Sequence, residues 1–143
     1  NDTDRAIHSI FEANRLLREA GERLASAEGQ THARRMVLQA ARGGATVPDI
    51  ARKLGLNRQG VQRVADDLAS EGLGRYADNP RHQISKLFIV TEKGESVLYK
   101  IQLAHADWIE RIKAESIGTD WNVFAGELAE VVRILRQQAE VDR

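Results

Sequence analysis

Between Arg52 and Arg63 the chain carries four basic side chains, Arg52, Lys53, Arg58 and Arg63, with the amides of Gln59 and Gln62 and no acid. Asp49 and Asp66 stand just outside this window. A guanidinium forms paired hydrogen bonds to guanine and a glutamine amide does the same to adenine, so the set suits the reading of base edges in a duplex groove. The same residues would also serve as an ordinary solvated helix face, and spacing alone does not separate the two. The charge balance sharpens the question. Lys plus Arg equals Asp plus Glu at 21 each, a formal net charge of zero. A neutral chain that binds nucleic acid must gather its positive charge locally, and this window gathers it.

Other chemistries find little to work with. There is no cysteine, which excludes disulfides, thiolate zinc sites and a cysteine nucleophile. His8, His32, His82 and His105 are scattered without metal-ligand spacing, and no glycine-rich phosphate loop occurs. Adjacent Asp66 and Asp67 diverge on a helix and cannot flank one bond, while His105, Asp107 and Glu110 read as a solvated surface. No catalysis, metal or cofactor is expected. At 42% hydrophobic and 29% charged, the 143 residues suit one folded domain rather than a disordered chain. No apolar run nears the roughly 18 residues of a membrane span and no signal peptide opens the chain, so a cytoplasmic protein is expected. The sequence starts at Asn1 rather than Met, so native residues are expected before it.

The elements that must position the basic window follow from periodicity and caps. Ile7, Ile10, Phe11, Leu17, Ala20, Leu24 and Ala27 recur at helical spacing over about residues 3–28, a stripe longer than a small core can cover. It is read as a dimerisation arm, with an edge helix of a bundle as the plainer reading. Thr31 caps a second helix running to about Arg42, with Met36, Val37 and Ala40 on one face and Gly43-Gly44 ending it. Thr46-Val47-Pro48-Asp49 supplies a cap, a first-turn proline and an early carboxylate, and Gly55 stops that third helix after about two turns. Asn57 caps a fourth helix, with Leu56 and Val61 expected to staple across the cap and Val61, Val64, Ala65 and Leu68 facing inward. Arg58, Gln59, Gln62 and Arg63 then point outward. The free N–H groups behind Asn57 are expected to hold a phosphate.

Helix, short glycine-containing break and capped second helix make a helix-turn-helix. From Arg75 to Thr91 the period changes: Asp78-Asn79-Pro80 signals a turn and Lys86 to Thr91 is rich in β-branched and aromatic residues. A hairpin there adds a wing, whose tip Asn79-Pro80-Arg81-His82-Gln83 is polar and basic, as an element crossing a phosphate backbone should be. Helices over about 92–117 and 121–139 complete the chain, parted by Gly118.

This order of parts resembles the MarR family of bacterial regulators over nearly the whole chain. The resemblance is carried by Thr46 to Leu56, by Leu68-Ala69-Ser70-Glu71-Gly72-Leu73, and by the run from Asn79 through Ser85-Lys86-Leu87 to Val90-Thr91-Glu92-Lys93-Gly94. It implies a mainly α fold with a small β-hairpin wing: a single MarR-like domain over residues 1–143. A winged helix-turn-helix DNA-binding lobe (31–94) would lie between dimerisation helices (1–30 and 95–143). It further implies a homodimer on a pseudo-palindromic DNA operator, acting as a ligand-responsive repressor. Expected DNA-facing residues are Thr46, Asn57, Arg58, Gln59, Gln62, Arg63, Arg81, His82 and Gln83. A small aromatic or anionic effector would meet His8, Phe11, His32 and Met36. The chain departs from the family where Gln83 and Ile84 replace wing arginines, where Gly74 replaces a β-branched residue, and at Ala77, often near an arginine. These departures imply a wing that binds less strongly or that uses Arg81 instead. The rival reading is a winged-helix module that serves protein contacts without specific DNA binding.

Overall fold

The computed structural model of the protein describes residues 1–142, apart from the side chains of His82 and Gln83. Its elements are α1 (Asp2–Ser26), α2 (His32–Ala41), α3 (Val47–Leu54), α4 (Arg58–Ser70), β1 (Gly74–Asn79), β2 (His82–Val90), α5 (Glu92–Glu115) and α6 (Trp121–Val141). The fold is mainly α with one antiparallel hairpin, as the sequence predicts. The chain falls into two compact units, residues 1–106 and 107–143.

Local chemistry sets the element boundaries of the first unit. Thr31 Oγ1 accepts from Arg34 N at 3.1 Å to start α2, and Thr46 Oγ1 accepts from Asp49 N at 3.2 Å to start α3. Each satisfies a donor that the first helical turn leaves unpaired. Gly55 takes φ +66°, a left-handed conformation that turns α3 sharply into α4. The expected staple differs. Val61 is buried, but Leu56 stays 49% exposed, while its N–H closes the turn on Ala51 O.

The core of this unit joins Val37, Leu38 and Ala41 of α2, Ile50 and Ala51 of α3, Val61, Ala65 and Leu68 of α4, Leu73, Phe88 of β2 and Leu98 of α5. Phe88 is its organising side chain. β1 pairs with β2 in the register Gly74↔Val90, Tyr76↔Phe88 and Ala77↔Leu87, and Phe88 also bridges Ala45 through hydrogen bonds of 3.2 and 2.7 Å. A Cβ on Gly74 would sit 2.1 Å from Phe88 Cζ. The ring occupies the space that a β-branched side chain would need, which explains the departure at Gly74.

The junction into α5 is equally close. Thr91 Oγ1 accepts from Gly94 N at 3.1 Å and donates to Gly72 O at 2.6 Å, and Thr91 N donates to Leu73 O at 3.1 Å. A Cβ on Gly94 would lie 2.1 Å from Leu73 O. The threonine and the glycine three residues later thus join the start of α5 to the chain leaving α4. α1 is anchored on α2 at one end only. Ala20, Gly21 and Ala25 are its buried residues, whereas the sequence stripe had ended on Leu24 and Ala27. His32 presses on Gly21, where a Cβ would approach its Nδ1 to 2.4 Å.

In the second unit α6 is capped by Asp120, whose Oδ1 accepts from Asn122 N and Val123 N at 3.1 and 3.2 Å. Trp121 and Phe124 meet edge to face at 5.6 Å, yet α6 has no buried residue. No described helix is long and apolar enough to cross a membrane.

Candidate nucleic-acid interface

α4 packs Val61, Ala65 and Leu68 inward and leaves Arg58, Gln59, Gln62 and Arg63 exposed. A 3.6-residue period makes this division unavoidable once the apolar face is fixed. Asn57 Oδ1 accepts from Gln59 N at 2.7 Å and from Gly60 N at 3.3 Å. Two of the N–H groups expected to cradle a phosphate are therefore already taken by the cap. Thr46 is only 9% exposed, its hydroxyl engaged at the start of α3.

Pairing of charges narrows the basic window. Asp49 forms an ion pair with Arg52 one turn along α3, so part of that positive charge is offset locally. Among the described residues Lys53, Arg58 and Arg63 have no acidic partner. Three cations thus remain at the α3–α4 corner and along the outer face of α4. A further ion pair, Arg34 with Glu71, ties α2 to the end of α4.

The wing is short and its tip is held by its own turn. Asn79 Oδ1 accepts from Arg81 N at 3.0 Å, an arrangement that rigidifies an Asn-Pro turn. Arg81 is exposed, and so are Arg75 on β1 and Lys86 on β2. The contacts expected of the His82 and Gln83 side chains lie outside the described residues.

Between wing and helix stands a network that sequence reasoning missed. Tyr76 Oη donates to Asp66 Oδ1 at 2.6 Å, and Gln62 Nε2 donates to Asp66 Oδ1 at 3.0 Å and to Tyr76 Oη at 2.9 Å. Burial, and next the hydrogen bond to Asp66, push the Tyr76 phenol well above its usual range, so it remains a donor. Its ring meets Phe88 edge to face at 5.4 Å. Asp66 lies one turn after Gln62, a spacing that could have been read, but nothing local pointed to Tyr76.

The effector candidates do not converge within one chain. His8 and Phe11 are exposed on α1, and His8 Nδ1 hydrogen-bonds Asp4 O at 2.9 Å. His32, half-buried, packs on Gly21, which at 1.5 Å per residue lies roughly 15 Å along α1 from Phe11. Met36 is half-buried on α2. Arg35, which the sequence reading passed over, is 5% exposed with no hydrogen-bond partner on Nε. Burial lowers its pKa. The His105 imidazole is lowered first by desolvation and then by the Arg35 charge.

A family model described as a helix-turn-helix domain matches residues 34–82. The chain is 47% identical over 98 residues to an uncharacterized protein of Mycobacterium tuberculosis, an alignment covering 68% of each. Among solved structures, a MarR family transcription regulator superposes with a TM-score of 0.75 at 26% identity, covering 98% of this chain and 94% of that one. A MarR family transcriptional regulator from Streptomyces coelicolor, solved in complex with DNA, superposes with a TM-score of 0.79 at 21% identity over 94% of this chain and 86% of the other.

Proposed function

We propose that the chain is a winged helix-turn-helix transcription regulator of the MarR type, which binds a pseudo-palindromic operator as a homodimer and represses transcription there. The observation that carries the reading is the outer face of α4, where Arg58 and Arg63 stand exposed without acidic partners beside Gln59 and Gln62. Cations left unpaired on one face of a neutral protein are a surface made for a polyanion. Arg58 and Arg63 read bases; Arg81 on the wing and Lys53 contact phosphate. Two copies place their recognition helices in successive major grooves, about 10 bp apart.

The exposed apolar residues of the arms support the dimer. Ile7, Phe11 and Leu17 on α1 and Phe124, Val131 and Leu135 on α6 are exposed in the single chain, and surfaces of this kind are covered in a stable assembly. For the response to a ligand, the support is Arg35, a buried cation without an acidic partner among the described residues; a small anion, aromatic or not, would relieve it.

Selection of bound fragments from random duplex DNA tests the reading. Arg58→Ala or Arg63→Ala is expected to cost about 1–3 kcal/mol and to relax one operator position. Arg81→Ala is expected to weaken all duplexes alike and to shallow the salt dependence by about one ion. A protein that retains no duplex sequence over another serves protein contacts instead, and a monomeric mass in sedimentation at micromolar concentration removes the dimer.

A further inference from the structure

A glutamine on a recognition helix is ambivalent. Its amide presents a donor end and an acceptor end, and rotation by half a turn exchanges them. With the oxygen forward it accepts from the exocyclic amine of adenine or cytosine. With the nitrogen forward it donates to the keto oxygen of guanine or thymine. A free Gln62 would therefore discriminate poorly among bases.

Gln62 is not free. Asp66 presents a carboxylate, which only accepts, 3.0 Å from Gln62 Nε2. Tyr76 spends its single hydroxyl hydrogen on the same carboxylate oxygen and so turns a lone pair towards Nε2 at 2.9 Å. Both neighbours demand a donor, and their oxygens lie 2.6 Å apart, close enough to share one amide N–H. Turning the amide over would set its oxygen against two acceptors, lose both hydrogen bonds and leave lone pairs facing one another. The anchor is firm because the Tyr76 ring rests on Phe88, which is fully buried. Among the described residues no donor reaches Gln62 Oε1, and the residue is exposed.

Resting on the DNA-binding reading above, we propose that Asp66 and Tyr76 are positioning residues that lock the Gln62 amide with its oxygen outward, so that this side chain selects a base bearing an exocyclic amine, adenine or cytosine, over guanine or thymine. Specificity at one operator position is thus set partly from the wing, by a tyrosine that need not touch DNA.

The test begins with operator selection using the wild-type protein and Gln62→Ala; the position whose preference relaxes is the one read by Gln62. There the wild type is expected to favour adenine or cytosine. Replacing that base by its analogue lacking the amine (purine for adenine, 2-pyrimidinone for cytosine) is expected to weaken binding about tenfold. Tyr76→Phe keeps the ring on Phe88 and removes the hydroxyl; Asp66→Asn keeps the shape and lets the neighbour donate. Both are expected to fold, as checked by thermal melting, and to lower discrimination at this one position to about twofold while the positions read by Arg58 and Arg63 keep theirs. A wild-type preference for guanine or thymine there, no relaxed position in Gln62→Ala, or undiminished discrimination in both positioning variants overturns the proposal and leaves DNA binding standing. Failure to retain any duplex overturns the DNA-binding reading and the proposal together.

Discussion

The lobe formed by α2, α3, α4 and the hairpin and the two outer helices α1 and α6 have similar sequence patterns and opposite fates. In the lobe the apolar face of each helix meets another element, and Leu38, Ile50, Leu68 and Phe88 are fully buried. In α1 residues 2–19 are exposed throughout, and α6 has no buried residue although Phe124, Val131 and Leu135 recur along it. Amphipathic spacing says that a face needs cover; it does not say whose surface supplies it. A helix with nothing to pack against draws little stability from propensity alone. The lobe covers its own apolar faces, whereas α1 and α6 leave much of theirs exposed in the single chain.

The contrast can be broken most forcefully in the lobe. Phe88→Ala, which empties the space between Gly74, Tyr76 and Ala45, is expected to cost about 3–5 kcal/mol in urea unfolding, whatever the protein concentration. An effect under about 1 kcal/mol would mean that the lobe does not depend on this ring. In the arms, Leu17→Asp or Leu135→Asp is expected to cost about 1.5–3 kcal/mol of association. Sedimentation would show the proposed dimer dissociating, with the lobe's near-UV signal preserved. A variant that unfolds without dissociating would place these leucines in the chain's own core.

Smaller changes sharpen the comparison. Gly60 has nothing within 4 Å of an added Cβ and no positive φ, so Gly60→Ala is expected to stabilise the lobe by about 0.5–1 kcal/mol in thermal melts; a loss would reveal a constraint on α4. The slightest effect concerns pH. His105 has a folded-state pKa below its ordinary 6.5, so the folded chain binds this proton less readily than the unfolded one. Its contribution to stability is present above pH 6.5 and is lost as the pH falls through the folded value. His105→Gln is expected to flatten that acid slope, and an unchanged slope between pH 7 and about 5 would assign it to other groups.

What could be read from sequence was mostly local. Thr31, Thr46, Asn57 and Gly55 announce helix ends because capping and left-handed turns depend on the residue and its immediate neighbours. The outward set Arg58, Gln59, Gln62 and Arg63 follows from the same logic once Val61, Ala65 and Leu68 are placed inside. What was not legible crosses the chain. The bond from Gln62 to Tyr76 spans 14 residues, and no pattern within α4 or β1 hints at it. Gly74 looked like a weakness of the wing until Phe88 was found in the space above it. Arg35 carries a charge that ordinarily marks an exposed position, so periodicity on α2 picked out Met36, Val37 and Ala40 and passed over it.

The junction at Thr91 and Gly94 has a mechanical side. Because α5 begins by gripping the carbonyls of Gly72 and Leu73, with no room for even a methyl group between them, neither helix meeting there can pivot freely. A tilt imposed on α5 is handed to the trailing end of α4, and a change of aim in α4 must drag α5 with it. The protein has in effect been given a rigid elbow where a flexible hinge would have let the two ends ignore each other.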